Sequence, residues 1–286
     1  MISLVMATVG RTEEIRRLIE SLILQKEKRF ELIAVDQNND DRLVPILADA
    51  IARGLEIKHL RLEKPNLSKA RNLGIDAARY PIVGFPDDDC WYDPLCLEGV
   101  CHEFFKNDKL GACIALWEER DSGSHSIAPH LLEWKVVSAF RSVPISSITL
   151  FIKHEKICTV GGFDNRLGIG RWYGSGEETD LVMRLVRHGY QIQFSPNVIV
   201  HHATNLQRTD FSLRHLQALR RRARGTGAVY AKHKLGAYVI LRGLMTPSIR
   251  GLINLSAFLS GVTISLGRLE GYLKWRMYES QSRACH

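Results

Sequence analysis

At residues 81–89 the chain reads PIVGFPDDD, an apolar run followed by a group of acids. Pro81–Phe85 is a short apolar run typical of a buried strand, and it leads directly into three consecutive acids: Asp87, Asp88 and Asp89. Carboxylates this close repel one another unless a cation lies among them. Hard divalent ions such as Mn²⁺ or Mg²⁺ prefer oxygen ligands, whereas the alternative is a solvated turn that caps the next helix. The spacing alone leaves both interpretations open.

Strand-like and helix-like segments alternate from the N-terminus to these acids. The strand-like runs are 2–8, 30–35, 56–62 and 81–85, and the helical patterns are 12–24, 43–52 and 67–78. This alternation predicts an α/β fold with a mainly parallel central sheet flanked by helices. Ligands of such sheets bind outside the carboxyl ends of the strands. Asp36 and the three aspartates follow predicted strands, so their position also makes them site candidates.

A second group of acids follows a glycine-rich segment. Residues 166–176 hold four glycines together with Trp172 and Tyr173, a composition typical of a mobile loop that closes over a ligand. Glu177 and Glu178 then begin a helix predicted over 177–188. Acidic first turns complement the helix dipole, and taken alone the motif favours that structural role. The functional alternative is a carboxylate that acts as general base beside an anionic ligand.

Two further residue types fit the same chemistry. His201 and His202 end a predicted strand, where alternation puts one histidine on each face, so one of them could complete a metal site with an acid from 87–89. Arg71 lies on the helix predicted over 67–78. A solvated helix face is its default interpretation, and contact with a diphosphate is the sharper alternative.

The charge of the chain is unevenly distributed. The 286 residues carry a net charge of +8 and are 45% hydrophobic, which excludes a disordered or fibrous protein. Up to Gln207 there are 25 Lys+Arg against 28 Asp+Glu, but from Arg208 onward there are 14 against 3. We therefore predict a catalytic domain over 1–207 and a basic, helical C-terminal appendage over 208–286.

The appendage has two interpretations. A basic segment over 208–233 precedes an apolar stripe at helical spacing, made by Leu252, Leu255, Leu259, Val262 and Leu266. The stripe could pack on the catalytic domain, or the basic and apolar faces could meet the inner surface of a membrane. We predict peripheral association without a membrane span. Nucleic-acid binding is not predicted, because aromatic residues are not interleaved with the arginines.

The cysteines and the N-terminus predict a cytoplasmic protein. Six cysteines form no C-x-x-C pair, and the first apolar run lacks the basic region of a signal peptide. The longest uncharged stretch, 251–267, is shorter than the roughly 20 apolar residues of a spanning helix.

Taken together and in order, these residues resemble glycosyltransferase family 2, inverting enzymes of the GT-A fold. The matching segments cover roughly residues 1–205: Ser3–Thr8 with Arg11, Glu31–Asp36, Asn66–Gly74, Phe85–Asp89 with Trp91, Gly161–Asp164, Gly176–Asp180 with Leu181 and Arg184, and His201. Two positions depart from the family's pattern. Ala7 stands where proline is usual, and Asp36-Gln37-Asn38-Asn39 replaces the usual Asp-Asp-Gly-Ser at the nucleotide pocket.

The resemblance implies roles for the candidate residues. It implies a general base at Glu178 and a metal site for Mn²⁺ or Mg²⁺ at Asp89 and His201. It also implies a set of residues that bind the nucleotide-sugar: Thr8, Arg11, Asp36, Arg71, Asp87 and Asp88.

The reaction implied is metal-dependent, inverting transfer of a sugar from a nucleotide-sugar, with a UDP-sugar favoured, to a saccharide or lipid-linked saccharide. One alternative is a sugar nucleotidyltransferase. Such an enzyme requires a glycine-rich phosphate loop after the first strand, but residues 8–11 contain only one glycine, Gly10. Another is a non-catalytic membrane-surface binding protein on the same fold, which has no need for acids at both sites.

Overall fold

The computed structural model describes residues 1–119, 128–140, 145–203 and 212–284. Their strands are β1 Ile2–Thr8, β2 Phe30–Asp36, β3 Ile57–Arg61, β4 Ile82–Gly84, β5 Cys90–Tyr92, β6 Leu110–Trp117, β7 His130–Leu131, β8 Leu150–Lys153 and β9 Gln191–His202. Their α-helices are α1 Glu13–Ile23, α2 Val44–Ala52, α3 Leu67–Ala77, α4 Cys96–Lys106, α5 Trp134–Ser138, α6 His154–Thr159, α7 Glu177–Arg187, α8 Leu213–Lys232, α9 Ala237–Arg250 and α10 Leu255–Ala284.

All nine strands belong to one sheet in the order β3-β2-β1-β4-β8-β6-β9-β5, with β7 paired to β9. The strands β1 to β4 are parallel to one another, as the alternation predicts. The other half of the sheet is mixed, because β8 runs antiparallel to both β4 and β6, and β5 runs antiparallel to β9. Antiparallel neighbours need no crossover helix, so this half lacks the regular alternation by which the first half is recognised.

The first strands are apolar along their whole length because helices cover both faces of the sheet. Along β1, Leu4 and Met6 point into one apolar layer and Val5 points into the other. Helix α3 approaches β1 so closely that a Cβ at Gly74 would lie 2.2 Å from Val5 Cγ1. Its predicted N-cap is confirmed, since the Asn66 side chain accepts a hydrogen bond from the backbone N–H of Lys69 at 3.0 Å.

Two predicted elements differ in detail. The sequence also predicts a strand over 146–152, but these residues begin as a 3₁₀ turn at Ser147–Thr149 and become extended only at β8. It further predicts short strands over 191–194 and 197–200, which form the single strand β9, whose pairing with β6 shifts register between Ala115 and Leu116.

The C-terminal helices share the core of the preceding residues. Val229, Tyr230 and Trp275 belong to the same apolar cluster as Val5 and Leu181 of the sheet and of α7. The predicted boundary between residues 207 and 208 lies outside the described residues, as does most of the polar loop predicted over 118–130. In the part of the chain that the structure describes, no helix is long and apolar enough to cross a bilayer.

Helix α10 contacts its neighbours through glycines and not through the predicted stripe. A Cβ at Gly271 would lie 1.9 Å from the carbonyl oxygen of Arg224, and one at Gly227 would lie 1.9 Å from that of Arg268. Helices α8 and α10 therefore meet backbone to backbone. Of the stripe residues, Leu252 is 72% exposed, and Leu255, Leu259 and Leu266 are exposed as well.

Candidate active site

The candidate site forms where the carboxyl ends of β1, β2 and β4 meet. Thr8 lies opposite Asp36 in the β1–β2 register, and Ala7 forms an isolated bridge with Asp87. Strand ends that share one edge of a parallel sheet bring residues distant in sequence together. The structure therefore brings Thr8, Asp36 and the aspartates that follow β4 to one edge, where the sequence predicts a ligand site.

The buried carboxylate of Asp36 shapes its own turn. Both the backbone N–H and the side-chain amide of Asn38 donate to Asp36 Oδ1 at 2.8 Å, and His59 Nε2 lies 3.0 Å from Oδ2. The amide of Asn38 also accepts a hydrogen bond from the backbone N–H of Gly10 at 2.7 Å. The turn that departs from the family's usual sequence is thus held by its own asparagine, next to the end of β1.

The middle aspartate of the triplet is directed inward. Thr8 Oγ1 donates a hydrogen bond to Asp88 Oδ2 at 2.6 Å, and Arg11 lies 3.3 Å from Asp88 Oδ1. Burial raises the pKa of Asp88 to about 6. Although burial opposes it, hydrogen bonds from His202 and Arg11 hold the pKa of Asp89 at about 2. Asp88 is therefore anchored to β1, while Asp89 presents a charged carboxylate to its neighbours.

The two histidines that end β9 lie in different surroundings. His202, and not the predicted ligand His201, lies beside the aspartates, with its Nε2 2.9 Å from Asp89 Oδ1. One ligand atom from each of Asp87, Asp89 and His202 lies within 4.8 Å of the others. Two carboxylates and an imidazole form a donor set that suits Mn²⁺ or a similar divalent ion, so the residues present fit a metal.

His201 points to the opposite face of β9. Its Nδ1 lies 2.9 Å from Glu119 Oε1, and its ring stacks on Trp91 with 5.4 Å between centroids. The antiparallel pairing of β5 with β9 sets Trp91 opposite His201 and Cys90 opposite His202. Because side chains alternate along a strand, this register turns only His202 toward the aspartates.

Arg71 joins the two groups of acids. The side chain is almost fully buried, and it donates from Nη2 to Asp87 at 3.0 Å and from Nη1 to Glu177 at 3.2 Å. A buried guanidinium is stable only when it is paired in this way. Arg71 therefore has a structural role that the sequence did not reveal. Its contact with a diphosphate stays a prediction.

Glu178 stands at the start of α7, after Gly176 with a φ of +92°. The side chain is partly exposed, but its Oε2 is buried and has no hydrogen-bond partner among the described residues. Burial of the carboxyl group, followed by the charge of Glu177, raises the pKa of Glu178 well above its usual range. A carboxyl group that exchanges its proton nearer neutral pH is suited to general-base chemistry.

Residues at the end of α8 pair with a buried acid of α7. Asp180 is fully buried, with its carboxylate 2.7 Å from Lys232 Nζ, 2.9 Å from His233 Nε2 and 2.9 Å from Arg184 Nη2. Burial lowers the pKa of His233, and hydrogen bonding to Asp180 opposes this change. The C-terminal segment thus helps to hold the helix that carries Glu178. The sequence does not indicate that Lys232 and His233 pair with Asp180. The acids at the start of α7 indicate only that basic partners are needed there.

The fold and this site define a class of protein. The parallel half of the sheet ends in aspartates that suit a cation, beside a helix that begins with a buried acid. This arrangement is expected of the GT-A fold. The family model for Glycosyl transferase family 2 matches residues 3–167, more than half of the chain. The chain therefore belongs to this family, as the sequence predicts.

Solved structures confirm the predicted fold class. The mannosyltransferase PcManGT from Pyrobaculum calidifontis, solved in complex with GDP-Man and Mn²⁺, has a TM-score of 0.65 at 16% identity and covers 96% of this chain and 86% of that chain. Residues 1–349 of S. aureus TarS, solved in complex with UDP-GlcNAc, have a TM-score of 0.60 at 14% identity, over 94% of this chain and 92% of that chain. At such identities the likeness shows the fold alone.

Curated relatives match over shorter segments. "Uncharacterized glycosyltransferase EpsJ" from Bacillus subtilis (strain 168) is 29% identical over 107 residues, which are 37% of this chain and 31% of that protein. The hyaluronan synthase of Pasteurella multocida is 29% identical over 113 residues, or 38% of this chain and 11% of that protein. The matches span at most 36% of the length of these curated relatives.

Proposed function

We propose that the chain transfers a sugar from a nucleotide-sugar donor to a saccharide or lipid-linked saccharide acceptor, in one inverting displacement that depends on a divalent cation. The observation that carries this proposal is the buried, unpartnered carboxylate oxygen of Glu178, joined through Glu177 and Arg71 to the aspartates at the sheet edge. Two groups of acids with different surroundings can divide the work between donor and acceptor.

We place the donor at the carboxyl ends of β1 and β2. Thr8 and Asp36 line this edge, and Arg11 reaches it from the following loop, as the resemblance implies for a nucleoside pocket. The family supports a sugar donor, and the two structural neighbours were solved with GDP-Man and with UDP-GlcNAc. We favour a UDP-sugar for this chain.

The metal would be held by Asp87, Asp89 and His202, with His202 taking the role first given to His201. When bound, a divalent cation neutralises the charge that builds up on a departing diphosphate. Arg71 orients the Asp87 carboxylate through its hydrogen bond of 3.0 Å. Thr8 and Arg11 fix Asp88, so the turn that presents the two ligating carboxylates is held from both sides.

Glu178 accepts the proton of the acceptor hydroxyl. The Oε2 atoms of Glu177 and Glu178 both lack a hydrogen-bond partner among the described residues, but Glu177 is ion-paired with Arg71 through Oε1 at 3.2 Å, whereas Glu178 forms no ion pair there. Of the two, Glu178 is therefore the carboxylate free to exchange a proton. Removal of the hydroxyl proton makes the acceptor oxygen a competent nucleophile, and its attack displaces the nucleotide with inversion at the anomeric carbon.

A panel of nucleotide-sugars tests this proposal. The wild-type protein is incubated with each donor, Mn²⁺ and a set of saccharide and lipid-linked saccharide acceptors, with and without EDTA, and the release of nucleoside diphosphate is measured. We expect release with one donor class and its loss in EDTA, and NMR of the glycosylated acceptor should show the inverted anomer. Retention of the donor's configuration, or undiminished turnover in EDTA, would contradict the mechanism. A sugar nucleotidyltransferase would release no nucleoside diphosphate, because from a nucleotide-sugar it consumes pyrophosphate and forms a nucleoside triphosphate and a sugar 1-phosphate.

We also propose that the C-terminal helices meet a membrane surface. One face of α9 exposes Tyr238, Leu241, Met245 and Ile249, which recur at three- and four-residue steps and are each more than 55% exposed. The exposed Arg250 follows at the end of this helix. A face that combines apolar and basic residues suits a membrane with anionic lipids.

A further inference from the structure

A basic groove of about 760 Å³ lies between the glycine-rich loop that precedes α7 and the first turns of α8. We call it the arginine groove, and six of its lining residues carry the argument: Arg171, Trp172, Arg214, Arg221, Arg222 and Arg224. No aspartate or glutamate of the described residues lines it. The groove therefore combines high positive charge with one large aromatic surface.

Most of these arginines have no counter-charge among the described residues. Arg224 is paired with Glu270 at 2.8 Å and lies over the Trp172 ring at 4.4 Å. Across the ranges that the structure describes, no carboxylate lies within ion-pair distance of the other four groove arginines. Uncompensated positive charges in one concave surface repel each other and attract anions. Guanidinium groups are well matched to phosphate oxygens.

The two walls of the groove are joined by backbone contacts. The N–H of Gly174 donates to the carbonyl of Arg221 at 3.0 Å, and Ser175 Oγ donates to the carbonyl of Arg222 at 2.7 Å. A Cβ at Gly225 would lie 2.0 Å from the carbonyl oxygen of Ser175, so only glycine allows this approach. The backbone that carries Arg221 and Arg222 is thus fixed against the loop, and their side chains are exposed.

The arginine groove adjoins the proposed base. Trp172 and Gly174 stand six and four positions before Glu178, and Gly176 packs against the carbonyl of Gly225 on α8. On the other side of the loop, a Cβ at Gly168 would lie 3.3 Å from Glu177 Oε2. The loop that forms one wall of the groove therefore leads directly into the first turn of α7, where Glu178 lies.

We propose that the arginine groove binds phosphate groups of the acceptor, so that the acceptor is a saccharide that carries a phosphate or diphosphate near its reacting hydroxyl. This inference rests on the proposed function, because it takes Glu178 as the base that receives the acceptor. The phosphate belongs either to a soluble sugar phosphate or to a lipid-linked saccharide diphosphate. Both present the same oxyanions to the arginines.

Binding of inorganic pyrophosphate tests the groove without any sugar chemistry. Calorimetric titration in EDTA is carried out on the wild type, on the double variant Arg221→Gln/Arg222→Gln, and on the control Arg16→Gln/Arg276→Gln. The control removes two exposed arginines that do not line the groove. We expect at least about tenfold weaker binding in the groove variant, from the loss of two charge-assisted contacts, and wild-type affinity in the control.

Equal pyrophosphate affinity in all three proteins would overturn the inference. Arg171→Gln, on the opposite wall, provides a second variant, and its effect should have the same direction. Circular dichroism melting verifies that each variant is folded. A single-stranded oligonucleotide that binds more tightly than pyrophosphate through the same arginines would also overturn it, since the groove would then serve nucleic acid.

Acceptor kinetics identify the source of the phosphate. Initial rates are compared for a neutral glycoside, its sugar phosphate and a lipid-linked saccharide diphosphate in detergent micelles. We expect the groove variant to raise KM at least about tenfold for the phosphate-bearing acceptor that the enzyme uses, and to leave a smaller effect on the neutral one. A KM change of equal size for all acceptors would overturn the inference. If the wild type releases no nucleotide from any donor, the proposed function fails, while the pyrophosphate result still stands.

Discussion

The aspartates at the sheet edge and the arginine groove differ in how their charges are satisfied. At the edge, Asp88 is bound by Thr8 and Arg11, and Asp87 is bound by Arg71. In the groove, Arg224 is paired with Glu270, but the arginines at 171, 214, 221 and 222 have no carboxylate partner among the described residues. A network that is paired before any ligand arrives fixes geometry, whereas an unpaired cluster provides binding charge. The first region thus suits chemistry and the second suits capture.

The same difference explains the uneven charge of the chain. Up to Gln207 acidic and basic residues are nearly equal in number. The acids of the candidate site there are paired with Arg11, Arg71 and their neighbours. The surplus of positive charge from Arg208 onward is only partly used for structure, as in the contact of Lys232 with Asp180 at 2.7 Å. Arginines 214, 221, 222 and 224 of this segment line the arginine groove.

Replacement of the proposed base should have the largest effect. Glu178→Gln keeps the size of the side chain but removes its basicity, so we expect kcat to fall by about 10²–10⁴-fold while donor binding survives. Stopped assays of nucleotide release and calorimetry with the donor measure the two quantities. Glu98→Gln, which changes an exposed acid in the first turn of α4, is the matched control. Near wild-type turnover in Glu178→Gln would refute the assignment.

Breaking the buried pair should cost stability rather than only activity. Arg71→Met leaves Asp87 and Glu177 as carboxylates without their shared partner, and we expect a loss of about 3–5 kcal/mol in the free energy of unfolding. Urea denaturation followed by fluorescence measures it. Arg53→Met removes an exposed arginine that pairs with Glu20, where the loss should be much smaller. Similar losses in both variants would contradict the paired character of the sheet edge.

The extent to which the sequence predicts this protein follows from the range of the interactions. Strands β1 to β4 and the helices between them are predicted because their apolar patterns are local, and the Asn66 cap is predicted for the same reason. The pair of Arg71 with Glu177 joins residues 106 positions apart, which no local pattern can indicate. The choice between His201 and His202 depends on the antiparallel register of β5 with β9, a contact between distant segments.

The two adjacent histidines provide a direct test of the metal site. His202→Ala should weaken Mn²⁺ binding at least about tenfold, because it removes an imidazole that lies beside Asp89. His201→Ala, on the other face of the same strand, should change the affinity little. Titration with Mn²⁺ followed by electron paramagnetic resonance measures both. The reverse result would return the metal role to His201 and to the face that carries Glu119.

The pH dependence of the reaction should reflect the base. Burial raises the pKa of Glu178, and a protonated carboxyl cannot accept the acceptor's proton. Activity is therefore low on the acid side and increases as pH rises through the raised pKa. Below it, kcat/KM should fall about tenfold per pH unit. The profile is measured at constant ionic strength, and Glu178→Gln should lose this limb. A flat profile down to the ordinary range of glutamate would show that Glu178 is not the titrating group.

Membrane association should show the smallest effect, because it rests on a few side chains at the end of the molecule far in sequence from the sheet. We expect binding to vesicles that contain phosphatidylglycerol, weaker binding at high salt, and a loss of a few-fold in Leu241→Gln/Met245→Gln, since about 25 cal/mol is gained per Å² of apolar surface buried. Phe105→Gln, which changes an 88% exposed residue on α4, is the control. Sedimentation with vesicles measures the bound fraction. If the protein stays wholly in solution at low salt, the apolar face of α9 does not meet a membrane, and the unpaired arginines then serve only the acceptor.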